Sequence, residues 1–118
     1  MHLHLLKGKS AEEQARRHLE RQGLKLLDTN YRCKRGEIDL IMQDTETLVF
    51  IEVRYRKSST FGSAVESVTM GKQIKLIAAA KHYLQEHRTN TPCRFDVVGI
   101  TGQNEAKVEW IKNAFQAN

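Results

Sequence analysis

The sequence predicts one α/β domain: a mixed β-sheet flanked by helices, in the order αβββαβ with a further strand at the end. Three observations carry this reading. The chain has 118 residues, room for one core but not two. Two segments, one at each side of a cluster of strands, show helical periodicity with small apolar residues on one side. Between and after them stand short runs rich in Ile, Val and Phe, bounded by polar turns. A single domain over residues 1–118 is expected, with 1–8 and 113–118 as loose termini.

The first helix is expected near residues 9–23. Ser10 reads as its N-cap, with Glu13 three positions on as in a capping box. Glu13 with Arg17 and Arg16 with Glu20 are i,i+4 pairs for the wet side. Ala11, Ala15, His18 and Leu19 mark the buried stripe, and Gly23 ends the helix. A first strand at 24–32 has a poor pattern. Strands at 36–42 (GEIDLIM) and 48–55 (LVFIEVRY) are clear, joined by the turn QDTET. A longer helix over 69–87 is expected to bury Ile74, Ile77 and Ala78, with Leu76, Ala80 and Tyr83 beside them. A fourth strand follows at 94–101 and a fifth, at an edge, near 106–112. The first three strands form an antiparallel meander, and the crossover through the long helix makes the fourth parallel to its neighbour.

Composition narrows the function. Nineteen Lys and Arg against fourteen Asp and Glu give a formal net charge of +5, which favours a polyanionic partner. No stretch is long and apolar enough to span a membrane. Cys33 and Cys93 have no CxxC partner and read as the reduced thiols of a cytoplasmic protein. The five histidines form no metal-ligand spacing.

The sharpest signal is a set of carboxylates inside apolar strands. Alternation puts Val49, Ile51, Val53 and Tyr55 on one face and Leu48, Phe50, Glu52 and Arg54 on the other. In the preceding strand it sets Ile38, Leu40 and Met42 against Glu37, Asp39 and Ile41. Closing the hairpin about Thr45 and Glu46 matches Ile41 with Phe50, Asp39 with Glu52 and Glu37 with Arg54. Two carboxylates then face each other with Cβ atoms about 5 Å apart, which is destabilising unless a proton or cation intervenes. A divalent ion resolves the conflict, since Mg²⁺ takes one or two carboxylates plus waters and a phosphate oxygen. Glu12 shares a helix face with Ala15 and Leu19, so it leans toward the core as a third acid. The bland alternative is a Glu37–Arg54 ion pair beside two solvated acids.

At these residues the chain resembles the YraN-like family of bacterial proteins, which are similar to Holliday-junction resolvases within the PD-(D/E)XK nuclease superfamily. The resemblance runs from about Gly8 to Val108. It lies in Gly8, Ala11-Glu12 and Ala15; Gly36-Glu37-Ile38-Asp39-Leu40-Ile41; and Val49-Phe50-Ile51-Glu52-Val53-Arg54-Tyr55-Arg56. It continues through Lys72, Ala80, Tyr83-Leu84 and Arg94-Phe95-Asp96-Val97-Val98. It implies a restriction-endonuclease-like fold, with Glu12, Asp39 and Glu52 as the metal-binding acids and Mg²⁺ or Mn²⁺ as the cofactor. It also implies that the metal activates a water for in-line attack on a phosphodiester. Arg54 stands where the superfamily has lysine. Its guanidinium can neutralise developing charge but does not give up its proton to act as a base. Arg54→Lys is expected to raise any weak cleavage.

Beyond the hairpin, Arg54, Arg56 and Lys57 run into Ser58-Ser59-Thr60-Phe61-Gly62, a loop suited to gripping phosphate. The alternative is a flexible solvated loop. Lys72 faces the site by resemblance, whereas Lys75 and Lys81 read as solvated. Asp96, between Phe95 and Val97, reads as structural at least as readily as functional. No base-reading motif is present, so binding would be backbone- or shape-directed and salt-dependent. The function expected is a metal-dependent endonuclease acting on structured or branched DNA. The alternatives are a nucleic-acid-binding module with a degenerate site, or a protein-interaction scaffold. A junction substrate suits a homodimer, which no feature of the sequence requires.

Overall fold

The computed structural model describes residues 3–58, 62–102 and 107–117, with side chains from Ser10 onward. Helix α1 spans Leu3–Arg21. Strands β1 (Lys25–Cys33), β2 (Gly36–Asp44) and β3 (Thr47–Arg56) follow, then a 3₁₀ turn at Val65–Ser67 and helix α2 (Met70–Glu86). Strands β4 (Cys93–Thr101) and β5 (Lys107–Phe115) complete the chain. The five strands form one sheet in sequence order. β1–β2, β2–β3 and β4–β5 are antiparallel, and β3–β4 is parallel. This is a mixed five-stranded α/β fold consistent with a restriction-endonuclease-like core.

Alternation along the central strands sorts the core into two layers. Leu48 and Phe50 of β3 and Phe95 and Val97 of β4 pack with Leu76, Ala79, Ala80 and Tyr83 of α2. Val49 and Ile51 of β3 and Val98 and Ile100 of β4 pack with Ala11, Ala15 and Leu19 of α1. The two helices therefore cover opposite faces of the sheet.

Several local expectations change. α1 begins before Ser10, so residues 3–8 are helical and not a loose terminus. Ser10 lies within the helix, where its hydroxyl accepts from the Gln14 side chain. The i,i+4 pairs Arg16–Glu20 and Arg17–Glu13 form as the spacing requires. α1 ends at Arg21, and Gly23, at φ +99°, carries the reversal into β1. The poor pattern of the first strand has a cause: its register with β2 shifts between Leu26 and Asp28, and Leu27 is left 44% exposed. In α2, Ile74 is 60% exposed while Ala79 is buried, so the buried stripe runs through Leu76, Ala79, Ala80 and Tyr83. Strict alternation also breaks in β2. Ile38 packs in the layer under α2, whereas Leu40 and Met42 pack in the layer under α1. Asp39 lies at the crossover.

The C-terminal residues 113–115 are not frayed. β5 continues to Phe115, whose ring stacks on Phe95 with centroids 5.0 Å apart. A register shift in β4–β5 lets the Asn113 backbone N–H donate to buried Asp96 at 2.9 Å. The Asp96 carboxylate also accepts from Trp110 Nε1 at 2.8 Å and from Arg94 Nε. Its role is structural: it ties the edge strand to the sheet. Among the described residues, no helix is long and apolar enough to cross a membrane.

Candidate active site

The β2–β3 hairpin closes with Ile41 opposite Phe50 and Asp44 opposite Thr47, as the spacing requires, but the expected pairs Asp39–Glu52 and Glu37–Arg54 fall outside the ladder, and Glu37 instead pairs with Arg32 of β1. Its turn carries Thr45 at φ +52°, an uncommon conformation for a β-branched residue. The regular pairing ends at Leu40 and Ile51. Asp39 and Glu52 are the next residues on either side. There the Asp39 Oδ2 accepts from the Val53 backbone N–H at 2.9 Å, so a carboxylate satisfies a backbone donor beyond the paired ladder.

Glu52 is only 4% exposed, on the face covered by α2. Three groups meet its carboxyl. Arg54 Nη1 lies 3.3 Å from Oε2, and Lys72 Nζ from α2 lies 3.8 Å from the same oxygen. The third is the Asp39 carboxyl, which hydrogen-bonds it. Burial, and then the charge of Asp39, push the Glu52 carboxyl up to about 8 despite the opposing pull of Lys72 and Arg54. Burial also raises Asp39, partly offset by the Val53 N–H and by the hydrogen bond from Glu52. The pair therefore retains a proton at neutral pH, because two buried charges of one sign cannot both be satisfied.

Such a pair fits a divalent metal. The donors are the hard oxygens of two carboxyl groups, the ligand type that Mg²⁺ and Mn²⁺ prefer. Among the described residues, no third His, Cys, Asp or Glu joins them in a cluster able to hold a metal. Glu12 is half-buried on α1, beyond the opposite face of the sheet, where it lines a cleft with Arg16, Thr29, Asn30 and Leu40.

Arg54 reaches more than Glu52. Its Nη2 donates to the Ser67 carbonyl at 2.6 Å and its Nε to Ser67 Oγ at 3.2 Å. Ser67 Oγ in turn donates to the Ala64 carbonyl at 2.6 Å. The guanidinium thus ties the 3₁₀ turn to β3 while holding one Glu52 oxygen. No sequence signal marked Ser67. Arg56 is likewise engaged, with Nη1 donating to the Gly62 carbonyl. Lys57 and Ser58 are exposed. Ser59 lies outside the described residues. Lys72, in the first turn of α2 behind the Thr69 cap, directs its ammonium toward Glu52.

The comparisons agree with the motifs. A family model described as "Uncharacterised protein family UPF0102" matches residues 11–100. A UPF0102 protein of Nitrosococcus oceani is 53% identical over 116 residues, covering 96% of this chain and 94% of its own length. The Nitrosomonas europaea protein is 53% identical over 109 residues, 92% of each chain. That of Saccharophagus degradans is 55% identical over 113 residues, 94% of this chain and 93% of its own. The chain belongs to the UPF0102 family, the YraN-like family to which its motifs pointed.

Proposed function

We propose that the protein is a metal-dependent endonuclease acting on structured or branched DNA. One observation carries the reading: half-buried Asp39 and buried Glu52 converge where the β2–β3 ladder opens, with Lys72 and Arg54 on the Glu52 carboxyl. Bound there, Mg²⁺ or Mn²⁺ would polarise a phosphate and make a water more acidic. Asp39, fixed by the Val53 N–H, and Glu52, fixed by Arg54, would supply the oxygens to hold such an ion. Lys72 supplies a compact ammonium beside the acids, able to meet a phosphate oxygen or lose a proton. Arg54 acts by positioning Glu52, since three of its bonds are already made within the chain.

That commitment of Arg54 also favours a second reading, a nucleic-acid-binding module that does not cut. Incubation with labelled duplex, single-stranded and four-way-junction DNA, in Mg²⁺, Mn²⁺ or EDTA, separates the two. Metal-dependent cleavage lost in Asp39→Ala and Glu52→Ala supports the nuclease. Salt-sensitive binding without cleavage supports the second reading, and absence of both would leave a protein-interaction scaffold.

A further inference from the structure

From the same face we infer that a groove between the β1–β2 hairpin tip and α2 is a track for the nucleic-acid phosphodiester backbone beside the acid pair. The groove is lined by Arg32, Lys34, Arg35, Lys72 and Lys75, with Glu37 as its one acid. This deepens the proposed function and rests on its reading that the site acts on nucleic acid.

Four features point to a phosphodiester ligand. The cations come from two elements. Lys34 and Arg35 are the two turn residues of the hairpin, and Lys72 and Lys75 stand one helical turn apart on α2. Arg32 is partly neutralised by Glu37 at 3.4 Å and Lys72 by Glu52 at 3.8 Å, which leaves Lys34, Arg35 and Lys75 without an acid at salt-bridge distance among the described residues. The two elements are locked together: a Cβ on Gly36 would lie 2.6 Å from the Lys75 carbonyl oxygen, so the turn can sit this close to the helix only with glycine there. The groove is thus built before any ligand arrives. Helix stability does not account for Lys72. The first turn of α2 carries no acid, and cations near a helix N-terminus oppose the macrodipole. Lastly, the groove is continuous with the candidate active site through Lys72, which lines the one and contacts Glu52 in the other. A chain of regularly spaced anions, one placed at the acids and its neighbours along the groove, matches this arrangement; an isolated anion would leave most of the cations unused.

The test measures binding in EDTA, so that cleavage plays no part, by fluorescence anisotropy with labelled duplex and four-way-junction DNA over a range of salt. The variant Lys34→Glu/Arg35→Glu is compared with Lys25→Glu/Lys112→Glu, which makes the same charge change at exposed positions elsewhere. The groove variant is expected to bind about tenfold or more weaker, with a salt slope lower by about 2 in log–log terms, one per phosphate contact. The control pair should keep the wild-type slope. Unfolding midpoints of both variants, measured alongside, confirm that each remains folded, and the neutral Lys34→Gln/Arg35→Gln variant replaces a charge-reversed one that is not. Equal weakening by both variants, or none by the groove variant, would overturn the inference. If wild type binds through the groove yet cuts nothing in Mg²⁺ or Mn²⁺, the nuclease reading fails and the groove stands. If wild type cuts but the groove variants cut and bind unchanged, the reverse holds.

Discussion

Replacing Glu52 with glutamine should stabilise the metal-free protein above neutral pH. In the folded chain the Glu52 carboxyl sits at about 8, against an ordinary 4.5, because it is buried beside Asp39. The folded form therefore holds a proton that the unfolded chain releases. This contribution is fully present below pH 4.5 and is lost as the pH rises through 8. Across that interval of about 3.5 pH units, at about 1.4 kcal/mol each, the loss amounts to at most about 5 kcal/mol. Sharing of the proton with Asp39 spreads the titration over the pair, so a difference of about 2–5 kcal/mol is expected. That is a large part of the 5–15 kcal/mol, roughly, that stabilises a typical domain. Glutamine keeps the shape of the protonated acid and can still donate to Asp39. Urea unfolding in EDTA at pH 5, 6.5 and 8 provides the measurement. Wild type should weaken steadily relative to Glu52→Gln, with the two nearly equal at pH 5. A constant difference across this range would refute the argument, because it would mean that Glu52 is ionised throughout.

Three further outcomes follow from the geometry. Mn²⁺ or Mg²⁺ should raise the unfolding midpoint of wild type more at pH 8 than at pH 6, since the ion must displace the shared proton; 100-fold excess over Kd is worth about 2.7 kcal/mol. The same titration on Asp39→Ala should show no metal effect. Arg54→Lys should lower stability by about 1–3 kcal/mol in chemical denaturation, because one ammonium cannot replace the bonds to Ser67 and Glu52. Any cleavage should fall in parallel, not rise as the superfamily pattern alone suggests. Gly36→Ala should cost about 1–3 kcal/mol, because its Cβ would meet backbone at 2.6 Å and part the hairpin from α2.

Much of the fold was legible because alternation and charge spacing act locally. The β2–β3 register followed from matching Ile41 with Phe50, and the parallel β3–β4 pairing followed from the intervening helix. The misses lie where distant contacts decide. Ile74 has the hydropathy of a core residue, but only the position of the sheet determines which stripe of α2 is covered. Residues 113–115 look like a tail until Asp96 and Phe95, some 17–20 positions earlier, supply a hydrogen bond and a ring to stack on. At the candidate site, alternation found Asp39, Glu52 and Arg54 on one side of the hairpin. It could not show that Arg54 is spent on Ser67, because the 3₁₀ turn that brings Ser67 near has no periodic signal. Nor could it show that Lys34 and Lys75 border one groove, because only the close approach at Gly36 brings them together.

The two most deeply buried acids among the described residues make the functional argument by contrast. Asp96 and Glu52 are both almost inaccessible, at 1% and 4%. Around Asp96 the chain assembles a guanidinium, an indole N–H and a backbone N–H, so the burial of its charge is balanced within the fold. Around Glu52 it places two cations at 3.3 and 3.8 Å, but also a second carboxyl, and the balance fails: burial and Asp39 together outweigh Lys72 and Arg54. A fold able to satisfy one buried acid so completely has the means to satisfy another. Replacing Asp39 with an uncharged residue would suffice. Keeping both acids costs stability at neutral pH, and a cation from outside the chain, as proposed above, would offset that cost.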